Sequence, residues 1–354
     1  MSGNVNNEEH CIGFLMETSF HYDVYRNIIA ELLNKKIKCE IIVNNEVEDE
    51  FVNNMLTFLS KLKVPGLKFA LLSSVLKSAK TYSCLVSPYY IYYVEQLSKI
   101  HIRTVYGLAK NEWNHAAWNQ KYDYILCYSH YTEKSLGLAS KVNVVGNPRF
   151  DDWHNNNYSE ETLQHLKLMP SKPILLYAPT YGALSSLPHW AEKLSRLSND
   201  YNIIAKLHHG TLYNPSERQA LKLAKRFLKN IVQENTSTFA LLKCADYVIS
   251  DNSGFIFDAI NADKKVILLD WKGMNDLLSD QKSFSTHESP EQQVRQFLPV
   301  AHDMVDIRRY LSDGYPWDEN IEILNHIKIE YCDAFNDGKA GMRAAQVIID
   351  ATRA

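Results

Sequence analysis

Residues 245–258 read ADYVISDNSGFIFD. A short apolar run, Tyr247 to Ser250, breaks off into the small polar residues Asp251, Asn252, Ser253 and Gly254, and these pass directly into FIFDAI, whose apolar spacing is helical. A buried strand, a tight polar turn and a helix in that order form the repeating unit of a doubly wound parallel sheet. In such sheets ligands bind beyond the carboxyl ends of the strands. Ser253 has the chemistry of a helix N-cap, and the N–H groups of a helix start favour phosphate. Asp251 can orient backbone or a sugar hydroxyl. Capping and phosphate binding can coexist at this turn.

The same alternation extends in both directions. Strands are predicted at residues 11–16, 37–43, 83–86, 101–105, 124–127 and 142–145. A second series follows at 174–178, 202–206, 247–250 and 266–270, with helical patterns such as 24–33, 217–228 and 238–244 between them. A chain of 354 residues with this many strands is expected to form two domains. The break is placed at Gly146-Asn147-Pro148-Arg149-Phe150-Asp151, where Gly and Pro punctuate the sequence ahead of a polar run. The predicted architecture is therefore α/β, with two Rossmann-like domains facing across a cleft: an acceptor domain over 1–148, a nucleotide-donor domain over 149–330, and a last segment, 331–354, whose helix crosses back to the first domain.

Composition narrows the function. Hydrophobic residues make up 45% and charged residues 22% of the chain, with a net charge of −3. This fits a globular protein with sizeable cores and gives no bulk attraction to nucleic acid. The six cysteines share no C-x-x-C spacing and read as reduced thiols of a cytoplasmic protein. The opening MSGNVNNEEH is unlike a secretory signal, and no apolar run reaches the roughly 20 residues needed to span a bilayer. Between Phe51 and Val94 there is no acidic residue, but Lys61, Lys63, Lys68, Lys77 and Lys80 are interleaved with leucines and phenylalanine. That stretch suits either the inner face of a membrane or an anionic polymer, and equally the solvated faces of ordinary helices. Arg218, Lys222, Lys225 and Lys229 read as a solvated helix face.

Two further strand ends join the turn at 251–254. Ala178-Pro179-Thr180-Tyr181-Gly182 offers the hydroxyls of Thr180 and Tyr181, and Lys206-Leu207-His208-His209-Gly210 offers a cation and imidazoles. Imidazole can bind phosphate or move a proton near neutral pH. Each loop also has a plain reading as a strand-to-helix turn. Together, at successive strand ends, they predict a nucleotide-diphosphate pocket built from Thr180, Tyr181, Lys206, His208, Asp251, Asn252, Ser253 and Gly254. The sequence has no G-x-G-x-x-G, P-loop lysine or D-x-D pair, which points to chemistry with no metal or cofactor, the leaving phosphate being held by protein cations and helix ends.

These motifs resemble the CDP-glycerol glycerophosphotransferases of teichoic acid and capsule synthesis, whose fold is GT-B. The matching segments are GNPRFD at 146–151, LLYAPTY at 175–181, KLHH at 206–209 where the family has R-x-H-P, ADYVISDNSGFIFD, and DGKAGMR at 337–343. The resemblance implies a transferase that takes a polyol-phosphate group from a cytidine-linked donor to an anionic or lipid-linked glycan acceptor. It implies that His208 contacts the donor pyrophosphate, that Ser253 and Gly254 bind phosphate, and that Thr180 lies beside the donor. The family histidine of an N-terminal His-Gly-Thr-Pro segment is replaced by Tyr106, in Tyr106-Gly107-Leu108-Ala109. CDP-ribitol and a nucleotide sugar remain open as donors.

A base is then needed from the N-terminal half. His21, in the loop after the first strand, is the first candidate, with Ser19 capping the helix beside it. Glu112 and His115, beyond Tyr106, are rivals. Two other readings stand beside transfer: a non-hydrolysing sugar-nucleotide 2-epimerase, whose acidic run after the turn is replaced here by FIFDA, and a non-catalytic nucleotide-sugar-binding protein.

Overall fold

The computed structural model describes residues 10–159, 163–233, 236–278 and 283–353. Most of the opening segment read against a secretory signal lies outside these residues, as does Ala354. The first sheet holds β1 (Cys11–Met16), β2 (Lys38–Val43), β3 (Leu67–Leu71), β4 (Cys84–Ser87), β5 (His101–Thr104), β6 (Tyr124–Cys127) and β7 (Val142–Val144) in the order β3-β2-β1-β4-β5-β6-β7. The second holds β8 (Ile174–Ala178), β9 (Asn202–Ala205), β10 (Asn230–Ile231), β11 (Tyr247–Ser250), β12 (Lys265–Leu269) and β13 (Val300–Ala301) in the order β10-β9-β8-β11-β12-β13. All pairings are parallel. Every residue of β1 is buried, as befits a central strand covered on both faces.

Strand β3 was not expected from the sequence. It is the edge of its sheet, with Lys68 and Phe69 exposed, so it lacks the continuous apolar run of the inner strands. Strands β10 and β13 pair over two residues each, too short for any periodic pattern.

Helix α1 (Ser19–Asn34) buries Val24, Tyr25, Ile28, Ile29 and Leu32, an apolar stripe at helical spacing. The helix at the far end of the chain, Ala340–Arg353, buries Ala344, Ala345, Ile348 and Ile349 in the same core as that stripe. Small residues permit the approach. A Cβ on Gly341 would lie 2.9 Å from the backbone carbon of Asn27.

The segment between the sheets ties these parts together. Gly146 has a φ of +89°, and a Cβ there would lie 2.7 Å from a carboxylate oxygen of Asp333, so the bend requires glycine. The carboxylate of Asp151 accepts from the N–H groups of Ala340 at 2.9 Å and Gly341 at 2.7 Å, satisfying the start of the last helix. Arg149 is buried and pairs with Asp258 at 2.9 Å, joining the segment to the helix Phe255–Asn261 of the second domain.

Candidate functional site

The carboxyl ends of β8, β9 and β11 open onto a cleft with a free volume of about 430 Å³, closed on its other side by α1, the Tyr106 loop and Trp113. A small-molecule site commonly has roughly 300–1,000 Å³. Among the described residues no group of three His, Cys, Asp or Glu side chains is arranged to hold a metal ion.

The loop after β9 carries the densest chemistry. His208 precedes the short helix α2 (His209–Tyr213), and its Nδ1 accepts from the N–H of Gly210 at 3.0 Å. A neutral imidazole with one nitrogen accepting carries its proton on the other, so Nε2 of His208 is a donor. The ring stacks on Tyr181, centroids 4.4 Å apart, and Lys110 Nζ lies 3.9 Å from the Tyr181 centroid on the ring face, a cation–π contact. Gly210 makes room for this column, since a Cβ there would strike the Tyr181 ring at 2.7 Å. His209 sits against His208, centroids 3.9 Å apart. Burial first, then His209, Lys110 and Lys206, hold the His208 imidazole neutral, well below its usual range, and burial, then His21, Lys206 and Lys110, hold His209 at about 3. Positive charge is therefore supplied by Lys110 and Lys206, both lining the cleft.

At the end of β8, Thr180 and Tyr181 line the cleft. At the end of β11 the sequence expectation is corrected. Asp251 and Asn252 are buried behind the wall and do not line the cleft. The Asp251 carboxylate accepts from the N–H groups of Thr180 at 2.8 Å, Ser186 at 2.7 Å and Asn252 at 2.7 Å, so it shapes two donor loops and has no contact with the cleft. Asn252 donates to the Leu184 carbonyl at 2.8 Å and accepts from Gln292 at 2.6 Å. Ser253 and Gly254 do line the cleft. The cap expected at Ser253 belongs to Gly254, which precedes α3 (Phe255–Asn261). Ser253 Oγ accepts from the Phe255 N–H at 3.2 Å, while the N–H groups of Ile256 and Phe257 bond to the carbonyls of Ser253 and Gly254. A phosphate at this turn would therefore meet Ser253 and Gly254 themselves. The Asp258 that pairs with Arg149 lies on this helix.

The N-terminal wall also departs from expectation. His21 is 3% exposed and lines the cleft, but its Nδ1 accepts from the Glu17 N–H at 3.1 Å. Its proton therefore lies on Nε2, and no lone pair is left to take one from an acceptor. Burial pushes the ring down to about 3. It is held edge-on between Tyr89 and Tyr106, at 5.8 and 5.9 Å. Ser19 does not cap α1; its Oγ is buried without a partner among the described residues. Tyr106 lines the cleft with its hydroxyl pushed up by burial. Glu112 is exposed beside Asn111, at 3.4 Å, and His115 packs against Tyr131 with centroids 6.0 Å apart. Burial and then Arg103 push His115 down to about 4. Neither residue reaches the cleft.

Lys110, missed by sequence reasoning, stands in the left-handed region with a φ of 63°, so the loop after Tyr106 turns its side chain across the cleft. The lysines of the acid-free stretch are exposed, and Lys80 is paired with Glu40. Exposed Leu56, Phe69 and Tyr92 accompany them. Among the described residues no helix is long and apolar enough to cross a membrane.

Two parallel sheets facing across such a cleft define a two-domain transferase fold of the GT-B type. Residues 100–276, half of the chain, match the sequence model of the CDP-glycerol:poly(glycerophosphate) glycerophosphotransferases. The chain belongs to that family and is a transferase of its kind. No curated protein matches the sequence. Among solved structures, the wall teichoic acid polymerase TagF superimposes with a TM-score of 0.68 at 16% identity, over 98% of this chain and 90% of that one. The MnaA–UDP complex of S. aureus gives 0.58 at 15%, over 96% of each chain. The UDP-GlcNAc 2-epimerase of Neisseria meningitidis bound to UDP-GlcNAc gives 0.59 at 12%, over 96% and 99%. At these identities the likeness is one of fold.

Proposed function

We propose that the protein transfers glycerol phosphate, or a related polyol phosphate or sugar, from a CDP-linked or other nucleotide-activated donor to a hydroxyl of a cell-surface polysaccharide or lipid-linked acceptor. The observation that carries this reading is the column inside the cleft formed by Lys110 from the first domain, Tyr181 after β8 and His208 after β9. His208 presents an N–H of fixed direction, because Gly210 holds its other nitrogen. Lys110 and Lys206 bring the charge that a diphosphate needs. An imidazole N–H and two ammonium groups aimed at the bridging phosphate stabilise the charge that develops as the nucleotide leaves. Thr180, Ser253 and Gly254 complete the donor side. The acceptor enters from the wall of His21, Tyr89 and Tyr106, and the enzyme works in the cytoplasm at the inner face of the membrane, with the lysines of residues 61–80 toward the lipid.

The reading is tested by thermal shift against CDP-glycerol, CDP-ribitol, CMP, UDP and UDP-sugars, followed by donor turnover with and without acceptor. Stabilisation by a cytidine-linked donor and acceptor-dependent release of CMP are expected. Interconversion of UDP-GlcNAc with its 2-epimer, or nucleotide binding with no turnover of any donor, would replace transfer by one of the two other readings.

A further inference from the structure

Transfer to a hydroxyl requires a group in the cleft that can accept the hydroxyl proton. The titratable side chains lining the cleft can be taken in turn. His21 and His208 each have Nδ1 occupied by a backbone N–H, so each presents a donor. Asp258 is paired with Arg149. Lys110 and Lys206 are cations, and tyrosine hydroxyls at Tyr89 and Tyr106 are pushed up by burial. Burial likewise pushes up the Tyr128 hydroxyl and the Cys332 thiol, and the Tyr181 ring is stacked between His208 and Lys110, so His209 and Asp23 remain. His209 is half-buried, and among the described residues its imidazole has ring contacts only: His208 at 3.9 Å, Phe51 at 6.3 Å and Phe20 at 6.5 Å. Phe20 and Phe51 belong to the first domain, so His209 stands where the two walls meet, one ring away from the proposed donor contact.

We infer that His209 is the general base of the transfer, a role that rests on the function proposed above. The acceptor hydroxyl oxygen forms a bond to the distal phosphorus of the donor, and the bridging P–O bond to CMP breaks. The electron pair of that bond leaves with CMP, whose developing charge His208 Nε2–H meets. The hydroxyl proton passes to a ring nitrogen of His209 and from there to solvent. Burial and then the charges of His21, Lys206 and Lys110 keep His209 neutral, which leaves it free to accept. A bound diphosphate opposes those cations and favours the imidazolium, so the donor itself raises the basicity of the group that its reaction needs. Within the K-L-H-H segment His209 occupies the position of the proline in R-x-H-P, so the chain gains an imidazole at 209 and lacks one at Tyr106.

The test measures CMP release from CDP-glycerol with a glycerol-phosphate oligomer as primer, for wild type, His209→Ala, His209→Gln and Asp23→Asn. A general base contributes roughly 10²–10⁴-fold. Both His209 variants should lose turnover by at least about a hundredfold, keep CDP-glycerol affinity within about twofold, and lose the acidic limb of the pH–rate profile. Added imidazole should restore part of the turnover of His209→Ala, which a merely structural role would not allow. His209 variants that remain active, or that lose donor affinity in proportion to turnover, would overturn the inference, as would inactivation by Asp23→Asn alone. Wild-type enzyme that releases no CMP from CDP-glycerol or CDP-ribitol with any acceptor would overturn the transferase reading itself, and the inference with it.

Discussion

Replacing His208 separates the cap seen in the fold from the donor contact proposed above. Its Nδ1 caps α2 through the Gly210 N–H at 3.0 Å, and its Nε2–H is the group proposed to meet the donor. His208→Ala removes both. The lost cap costs about 0.5–2 kcal/mol of stability, and the lost hydrogen bond to a charged phosphate costs about 1.5–3 kcal/mol of binding, roughly tenfold to a hundredfold in Kd. Asparagine is among the preferred N-cap residues, and its side-chain oxygen can accept from Gly210. His208→Asn should therefore melt close to wild type while binding CDP-glycerol as weakly as His208→Ala does. Denaturation curves and titration calorimetry on the three proteins read the two effects independently. Wild-type affinity in both variants, or full recovery of affinity in His208→Asn, would refute the placing of Nε2–H on the donor.

Ser253→Pro should abolish nucleotide binding, because it removes a backbone N–H and the oxygen that Phe255 bonds to; Ser253→Ala should cost stability by only about 1 kcal/mol, and calorimetry with CMP distinguishes the two. Burial raises the Asp151 carboxyl to about 6 against the opposing pull of Gly341 and Ala340. A group raised in the fold contributes stability that is full below the unfolded pKa of roughly 4 and is lost as the pH rises through about 6. Urea midpoints should accordingly fall across that window, and less steeply in Asp151→Asn. Turnover should persist in EDTA; abolition reversed by a divalent cation would refute metal-independent chemistry.

Most of the fold could be read from the chain because inner parallel strands are buried on both faces and so appear as unbroken apolar runs. Strands β1, β6, β8 and β11 are of this kind. Strand β3 escaped because an edge strand with Lys68 and Phe69 exposed carries no such run. The position of several candidate residues was legible for the same topological reason: loops after strands face the cleft, and Thr180, Tyr181, Lys206, His208 and Ser253 do line it. What the chain could not reveal was direction. Asp251 follows a strand just as His208 follows one, yet it turns inward to meet three N–H groups. His21 was correctly placed on the cleft, but the amide that occupies its Nδ1 is its own neighbour Glu17 folding back. Lys110 crosses the cleft only because its backbone is left-handed, and no periodicity marks that.

The clasp at Asp151 also bears on the order in which the protein can be completed. Asp151 meets Ala340 and Gly341 across a separation of 189 and 190 residues, and the helix they begin fills part of the first domain's core. On the ribosome that helix is made only after the entire second domain. The stripe of α1 can pack on the first sheet as soon as both are made, but that core lacks its last helix until the second domain has left the ribosome. Strictly domain-by-domain folding from the N-terminus therefore leaves the first domain one helix short until the chain is complete.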